Sequence, residues 1–170
     1  MKRIATLLAA IMALCGARGG ETDTATVASL DINRFMGLWY EIARYDHRFE
    51  RNLSDVKAEY RQLPDGRIEV TNSGTDLRTG KRRTAEGKAR PGDRPGQLRV
   101  SFFLFFYSDY NIMAMADDYS WALVGSDSDK YLWILSRTPT LDSVTLGHIL
   151  ELARNRGYDT SQLLFTGRQR

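Results

Sequence analysis

Apolar and polar residues alternate along several short segments of this chain. Within 97–104 the apolar residues Leu98, Val100 and Phe102 are separated by polar ones, and the segment 67–74 shows the same period. Successive side chains of a β-strand point to opposite faces, so this alternation predicts strands with one buried and one solvated face.

Eight segments of this kind follow one another at nearly even spacing. Turn residues separate them, such as Pro64-Asp65-Gly66, where proline presets φ and glycine accepts a positive φ. The spacing predicts an all-β fold, an eight-stranded up-and-down antiparallel barrel, because closure removes exposed sheet edges. The predicted strands are 38–46, 55–63, 67–74, 81–90, 97–104, 110–116, 119–126 and 130–137.

The period of the apolar residues changes after the eighth predicted strand. Leu146, Ile149, Leu150 and Ala153 recur at the spacing of an α-helix. We therefore expect one amphipathic C-terminal helix packed against the outside of the barrel, followed by a short strand at 163–166.

The N-terminus has the features of an export signal. Lys2 and Arg3 are followed by the apolar run 4–14, which is too short to cross a bilayer and typical of a signal peptide. Cys15, the only cysteine, comes directly after this run, which indicates a lipoprotein signal with lipidation at Cys15. Leu14 is larger than the residue usual before such a cysteine, so cleavage near Ala17 with loss of Cys15 is the alternative.

These features predict three parts of the chain. Residues 1–15 form a signal peptide of the lipoprotein type, 16–28 a flexible tether of small and polar residues, and 29–170 a single barrel domain.

Charge argues against a nucleic-acid partner. Removing Lys2 and Arg3 from the 24 basic residues leaves 22 against 21 acidic ones, far less basic than most nucleic-acid binders. The basic run Lys81-Arg82-Arg83 falls in a predicted strand, where a solvated outer face accounts for it.

The sequence offers little for catalysis or for binding a metal or cofactor. His47 and His148 are the only histidines, and no nucleophile motif or phosphate-binding glycine loop accompanies them. His47 lies between charged residues in the segment 46–51, which we expect to line the barrel mouth. We therefore expect no enzyme activity, cofactor or metal; the alternative is an enzyme of the same fold that acts on a lipid or isoprenoid.

Three motifs in order give the chain a family resemblance. Gly37-Leu38-Trp39-Tyr40, Asp118-Tyr119 and the segment Leu135-Ser136-Arg137 resemble the three signatures of the lipocalins. The branch of the family that includes bacterial outer-membrane lipoproteins and apolipoprotein D is most similar. The resemblance implies that Gly37, Trp39 and Arg137 close one end of the barrel, where a guanidinium on an indole is a stabilising cation–π contact.

The resemblance and the two-residue period together predict the ligand-facing side chains. The resemblance implies that Trp133 lines the pocket with a tyrosine and an asparagine of the second and third strands. The period then turns Tyr131 inward, and on the sixth strand we prefer Ile112 and Ala114 to their neighbours. The expected ligand-binding residues are Tyr60, Val70, Asn72, Val100, Phe102, Tyr110, Trp133 and Leu135.

Such a pocket suits an acyl chain with a polar head, so the resemblance implies a fatty acid or a lysophospholipid as ligand. It also implies an outer membrane lipoprotein that faces the periplasm, held by an N-terminal lipid anchor; a soluble periplasmic or secreted protein is the alternative. Phe103 and Phe105 lie on the outer face under strict alternation. Either the helix or a loop covers them, or they form a patch for a membrane or for a homodimer.

Overall fold

The computed structural model describes residues 21–103 and 106–166, and within them the predicted fold is confirmed. Nine strands form one antiparallel sheet, and eight of them close into a barrel because β1 pairs with both β8 and β2. The elements are α1 Ile32–Phe35, β1 Gly37–Tyr45, β2 Leu53–Gln62, β3 Ile68–Asp76, β4 Arg82–Pro91, β5 Gln97–Phe103, β6 Phe106–Met115, β7 Trp121–Gly125, β8 Leu132–Ser136, α2 Ser143–Asn155 and β9 Leu163–Phe165, with a 3-10 turn at Thr160–Gln162.

The largest difference from the predicted strands is at the start of β6. The prediction begins this strand at Tyr110, whereas the strand begins at Phe106, which pairs with Phe103 of β5. The predicted outward position of Phe103 and Phe105 concerns side chains that lie outside the described structure.

The core has two parts, one on each side of the barrel wall. The inner part fills the barrel and includes Phe35, Trp39 and Val124. The outer part lies between the wall and α2 and includes Leu123 and Ile149. Val124 and Leu123 are neighbours on β7 that serve opposite sides, as the two-residue period requires.

The C-terminal helix packs outside the barrel, as predicted. The Asp142 side chain caps it by accepting hydrogen bonds from the backbone N–H groups of Val144 and Thr145. Ile149 and Ala153 are its buried residues. The chain then turns at Gly157, and β9 adds to the outer half of β1 without joining the closed barrel.

Register shifts occur in four strand pairings, β1 with β8, β2 with β3, β5 with β6 and β6 with β7, and two of them change which of the expected side chains face inward. On β1 the pairing with β8 shifts between Glu41 and Ala43, and on β6 the pairing with β7 shifts between Ile112 and Ala114. After the second bulge Met115 packs on the inner core and Ala114 on the outer one. The expectation that Ala114 faces the pocket is therefore wrong, because the bulge reverses the alternation.

The two ends of the barrel are built differently. α1 and the connections after β2, β4 and β6 lie at one end, the closed end. The connections after β1, β3, β5 and β7 lie at the other, the open end. No helix among the described residues is long and apolar enough to cross a membrane.

Part of the expected tether lies against the barrel. The backbone N–H of Asp23 donates to Arg156 and that of Val27 to Ile112. The Arg156 guanidinium also holds the Asp23 carboxylate at 3.0 Å and the Met113 carbonyl at 2.7 Å. Attachment therefore begins within the predicted tether, while Cys15 and the signal segment lie outside the described residues.

Candidate ligand-binding site

The closed end is held by a network of contacts around the half-buried Arg137. Its guanidinium lies 3.8 Å from the centre of the Trp39 ring. Its N–H groups donate to the carbonyls of Leu38 at 2.9 Å, Arg34 at 2.7 Å and Phe35 at 3.1 Å. The Trp39 indole N–H donates to the same Phe35 carbonyl at 2.8 Å. One planar cation thus satisfies backbone acceptors where α1 meets β1.

Gly37 lies at the centre of this network. Its φ of +92° belongs to a region that side chains rarely adopt, and a Cβ there would lie 3.5 Å from the Arg137 guanidinium. The three residues that the resemblance assigns to barrel closure are therefore in contact at one end of the barrel. They lie at the base of the interior, below the expected ligand-facing side chains.

Most of the expected ligand-facing residues lie on the inner wall. Tyr60, Val70, Val100 and Leu135 are buried in the inner core. Tyr110 and Trp133 pack against this core and keep part of their surface exposed. Asn72 is half-buried between its strand partners Ala58 and Ala85.

Phe102 lies on the inner face near the open end, and 43% of it is exposed. Its strand continues the face of Val100, and a Cβ on Gly87 would meet the Phe102 ring at 2.7 Å. The ring therefore lies directly over a glycine. Gly87 and the neighbouring Ala85 leave one side of the barrel interior thinly filled.

Solvent reaches the barrel interior. Ala58, Asn72, Tyr110 and Trp133 all belong to the inner wall, yet each retains accessible surface. The Oδ1 atom of Asn72 is buried and has no hydrogen-bond partner among the described residues. Buried polar atoms are normally paired, so an unpaired amide oxygen on this wall suits a ligand or water in the interior.

Tyr60 and Tyr110 join opposite sides of the interior. Their hydroxyl groups are hydrogen-bonded at 2.9 Å. Burial raises the pKa of both hydroxyls above the usual range, so they stay neutral. A neutral hydroxyl pair provides a donor and an acceptor on an otherwise apolar wall, and the Tyr60 ring lies near the closed end, 5.4 Å from that of Phe35.

A cluster of charged residues lies at the open end. Glu50 belongs to the segment 46–51 that was expected at the mouth, whereas the inward positions of Glu41 and Arg44 were not predicted. Arg44 and Glu41 form a salt bridge whose side chains are 2% and 3% exposed. The other terminal nitrogen of Arg44 donates to the Glu50 carbonyl at 2.7 Å, which holds the β1–β2 connection over the barrel. Thr166, which follows β9, donates its hydroxyl to the Glu41 carboxylate at 2.7 Å.

The β1–β2 connection also reaches Trp133. The Trp133 indole N–H donates to the Glu50 carboxylate at 3.1 Å, and His47 Nε2 lies 2.9 Å from the same oxygen, off the direction of a formed hydrogen bond. The His47 ring meets the Trp133 ring edge-on, with 5.3 Å between the ring centres. The Tyr131 ring stacks on the Trp133 ring, with 5.7 Å between the ring centres, and also meets the His47 ring edge-on. Aromatic rings and two charged groups therefore frame the mouth.

The pKa values of the two buried carboxyl groups, Glu41 and Glu50, are shifted in opposite directions. Desolvation, together with the nearby charge of Glu50, raises the pKa of Glu41 to about 7 despite the Arg44 guanidinium. Desolvation also acts on Glu50, but the contacts from His47 and Trp133 outweigh it, and the Glu50 pKa lies below its usual range. Glu50 is therefore ionised at neutral pH.

Strict alternation conceals this cluster from sequence reasoning. Glu41 and Arg44 are three residues apart, which in a regular strand puts them on opposite faces. The bulge after Glu41 brings both to the inside. The separation itself was visible in the sequence, but no residue in the segment signals the bulge.

The described residues contain no group of three or more His, Cys, Asp or Glu side chains that could hold a metal ion. His148 is exposed on α2 and meets only the edge of Trp121 among the rings described. The site is thus an apolar barrel interior with a charged and aromatic mouth.

Comparison with known proteins agrees with this architecture. The family model of the lipocalin-like domain matches residues 30–168. The chain belongs to the lipocalin family. The family resemblance of its three sequence motifs is thereby confirmed.

This lipocalin is similar to two bacterial relatives over nearly its whole length. It is 40% identical to the outer membrane lipoprotein Blc of Vibrio cholerae, with 99% of this chain and 100% of the relative covered. It is 39% identical to the outer membrane lipoprotein Blc of Escherichia coli K12, with 95% and 92% covered. The solved structure of insecticyanin from the tobacco hornworm Manduca sexta matches with a TM-score of 0.72 at 20% identity, covering 86% of this chain and 85% of that one; this likeness concerns the fold alone.

Proposed function

We propose that this lipocalin binds a fatty acid or a lysophospholipid, with the acyl chain inside the barrel and the polar head at the open end. The observation that carries this proposal is the solvent-accessible inner wall, where Asn72, Tyr110 and Trp133 keep exposed surface although they face the interior. The Arg137 network blocks the other end. An apolar barrel interior that is closed at one end suits a ligand with one apolar and one polar end.

The lining supports an acyl chain at depth and a polar group at the mouth. Val70, Val100 and Leu135 offer apolar surface, and each buried methylene of a ligand contributes about 0.8 kcal/mol. At the mouth, Arg44 and Glu50 carry opposite charges, and His47 has no hydrogen-bond partner among the described residues. Such a mouth suits a head group with both charged and hydrogen-bonding atoms.

The bacterial relatives support a place in the cell envelope. Both are outer membrane lipoproteins, and Cys15 directly follows the apolar signal segment of this chain. We propose that Cys15 is lipidated and that the protein stores or carries lipids at the periplasmic side of the outer membrane, as part of membrane maintenance under stress. Replacing Cys15 with Ser is expected to release the protein from membranes; an unchanged distribution would rule out lipidation.

Lipid recovered from the purified protein tests the proposed ligand. Mass spectrometry is expected to find a fatty acid or a lysophospholipid that is chemically unchanged after incubation. Recovery of a converted lipid would instead support the alternative enzyme, in which case His47→Ala should abolish the conversion.

Variants of the inner wall test whether the ligand lies inside the barrel. Trp133→Ala removes the aromatic wall of the mouth and Ala58→Phe fills the interior, so each is expected to weaken lysophospholipid binding at least tenfold in a fluorescence titration. Trp121→Ala is the matched control, because Trp121 packs on the outer core beneath α2. Equal affinities for the wild type and both inner-wall variants would refute the proposed pocket.

A further inference from the structure

Large apolar side chains are exposed at the open end of the barrel. Phe49 lies in the β1–β2 connection and is 68% exposed, and Leu77 in the β3–β4 connection is 67% exposed. Phe106, at the start of β6, is 75% exposed, and Phe102 lies beside the mouth. Four such residues on three neighbouring hairpins form a patch of the kind that marks an interaction surface.

Basic residues surround this patch on one side. The β3–β4 connection and the start of β4 carry four bases against one acid, Asp76. Asp76 is buried, and its carboxylate already pairs with Arg83 and Arg78. On the β1–β2 connection, the Arg48 guanidinium lies 4.8 Å from the centre of the Phe49 ring. Apolar and positively charged groups therefore share one surface.

The opposite side of the mouth is acidic. Asp127 and Asp129 lie in the β7–β8 connection together with one base, Lys130, and Asp127 is paired with Arg94 at 2.7 Å. The excess of positive charge therefore lies on the side of the β3–β4 connection, where residues 77–83 carry four bases and no acid. A partner with negative charge would approach that side and avoid the β7–β8 side.

The N-terminal segment enters the fold at this same end. Thr22 lines a surface cleft of about 470 Å³ together with Tyr45 and Lys130, which flank connections of the open end. Arg156 holds the following residue, Asp23, in place. Cys15 precedes Glu21 by six residues, which span at most about 20 Å when extended. A lipid on Cys15 would therefore hold the open end, rather than the closed end, next to the membrane.

We propose that the open-end rim, formed by Phe49, Leu77, Phe102 and Phe106 with Arg48, Arg78 and Lys81, docks on a phospholipid bilayer that contains anionic head groups. The apolar side chains enter the interface between head groups and acyl chains, and the basic ones pair with lipid phosphates. The barrel mouth then faces the bilayer, and an acyl ligand moves between membrane and cavity without crossing bulk water. Orientation by the N-terminal tether depends on the proposed lipidation of Cys15, whereas docking through the rim side chains does not.

Vesicle sedimentation of the Cys15→Ser full-length protein tests the surface without the anchor. We expect binding to vesicles of phosphatidylethanolamine and phosphatidylglycerol at 3:1, and at least fivefold weaker binding to pure phosphatidylcholine. Phe49→Ser with Leu77→Ser in the same background should weaken binding to the anionic vesicles at least tenfold. Arg78→Gln with Lys81→Gln should weaken it less, and added salt should reduce that difference.

Val144→Ser is the matched control, because Val144 is 81% exposed on the first turn of α2, away from the open end. Its vesicle binding should equal that of the parent protein. Lysophospholipid affinity in detergent-free solution should be unchanged in the Phe49/Leu77 variant, so failure of docking is distinguishable from failure of the ligand pocket. Absence of binding to anionic vesicles, or equal binding by parent and Phe49/Leu77 variant, would overturn the proposal.

Sedimentation velocity tests whether a second copy of the chain, rather than a bilayer, covers this surface. If the parent protein dimerises in solution, and the Phe49/Leu77 variant does not, while neither binds vesicles, the rim is an interface between two copies of the chain. That outcome would also overturn membrane docking.

Discussion

Each end of the barrel contains an arginine that joins several segments, half-buried Arg137 at the closed end and buried Arg44 at the open end, and the partners of the two differ. Arg137 at the closed end donates to backbone carbonyls and lies on the Trp39 ring. Arg44 at the open end contacts the carboxylate of Glu41 and the backbone carbonyl of Glu50 in the β1–β2 connection. Neutral, fixed partners make the closed end a structural plug. Ionisable partners make the open end sensitive to pH and to a charged ligand.

The two ends also differ in how many of their polar side-chain atoms have a hydrogen-bond partner. At the closed end the Arg137 and Trp39 donors have carbonyl acceptors at ordinary distances. At the open end Arg44 Nε and both ring nitrogens of His47 have no hydrogen-bond partner among the described residues. Unpaired buried polar atoms cost free energy, so their place beside the mouth agrees with a site that a ligand completes.

Arg137→Ala is expected to have the largest effect on stability. It removes a cation–π contact and leaves the carbonyls of Arg34, Phe35 and Leu38 without their donor, so the free energy of unfolding should fall by about 3–4 kcal/mol. Urea unfolding measures the loss. Arg34→Ala, which removes an exposed side chain of the same end, should cost about 1 kcal/mol or less.

Below the unfolding transition, Arg137→Ala should leave lysophospholipid affinity within about twofold of wild type. A loss of lysophospholipid affinity well beyond twofold in the folded variant would contradict the division between a structural closed end and a functional open end.

Glu41→Gln should reduce the pH dependence of the free energy of unfolding, because Glu41 at the open end contributes to it. The folded-state pKa of Glu41 is about 7 against an ordinary value of 4.5, so its favourable contribution is complete below about pH 4.5 and is lost as pH rises through 7. The wild-type free energy of unfolding should therefore fall by up to about 3 kcal/mol between pH 5 and pH 8 from this group.

Urea unfolding at pH 5 and pH 8 gives, for each protein, the change in the free energy of unfolding between the two pH values, and this change is the slope that is compared. Glu41→Gln should show a distinctly smaller fall, while Glu59→Gln, the same change at an exposed position on β2, should keep the wild-type slope. Identical slopes in Glu41→Gln and wild type would show that Glu41 ionises normally in the folded protein.

Gly87→Ala should have the smallest effect on stability, about 1–3 kcal/mol, because the new Cβ meets the Phe102 ring and the Ser101 carbonyl at 2.7 Å. Displacement of Phe102 should also weaken ligand binding severalfold. Gly66→Ala is the control for adding a methyl group, since a Cβ there meets nothing within 4 Å, although its positive φ adds some strain. Unchanged ligand affinity in Gly87→Ala would show that Phe102 is not part of the ligand-binding site.

Alternation and turn residues were sufficient to predict the barrel, its strand order and the outer helix. Ile68, Val70, Leu98 and Val100 lie inside as their period requires, because long regular strands leave no other choice of face. Sequence reasoning failed where a backbone irregularity intervenes. The bulge on β6 turns Ala114 outward, and that on β1 brings Glu41 inside together with Arg44.

The charged mouth also depends on contacts between distant segments. Glu50 meets Trp133 across 83 residues, and Thr166 meets Glu41 across 125. Local pattern carries no information about such pairs. The segment 46–51 was expected at the mouth, but its bond to Trp133 emerges only from the closed three-dimensional barrel.

Quenching of tryptophan fluorescence by a lysophospholipid with a brominated acyl chain tests the central claim most directly. The chain has three tryptophans: Trp133 at the mouth, Trp39 at the closed end and Trp121 on the outer side. Bromine near the head group should quench wild type and Trp121→Phe alike, and should lose most of its effect in Trp133→Phe. Quenching that disappears in Trp121→Phe and persists in Trp133→Phe would place the lipid outside the barrel and contradict the account.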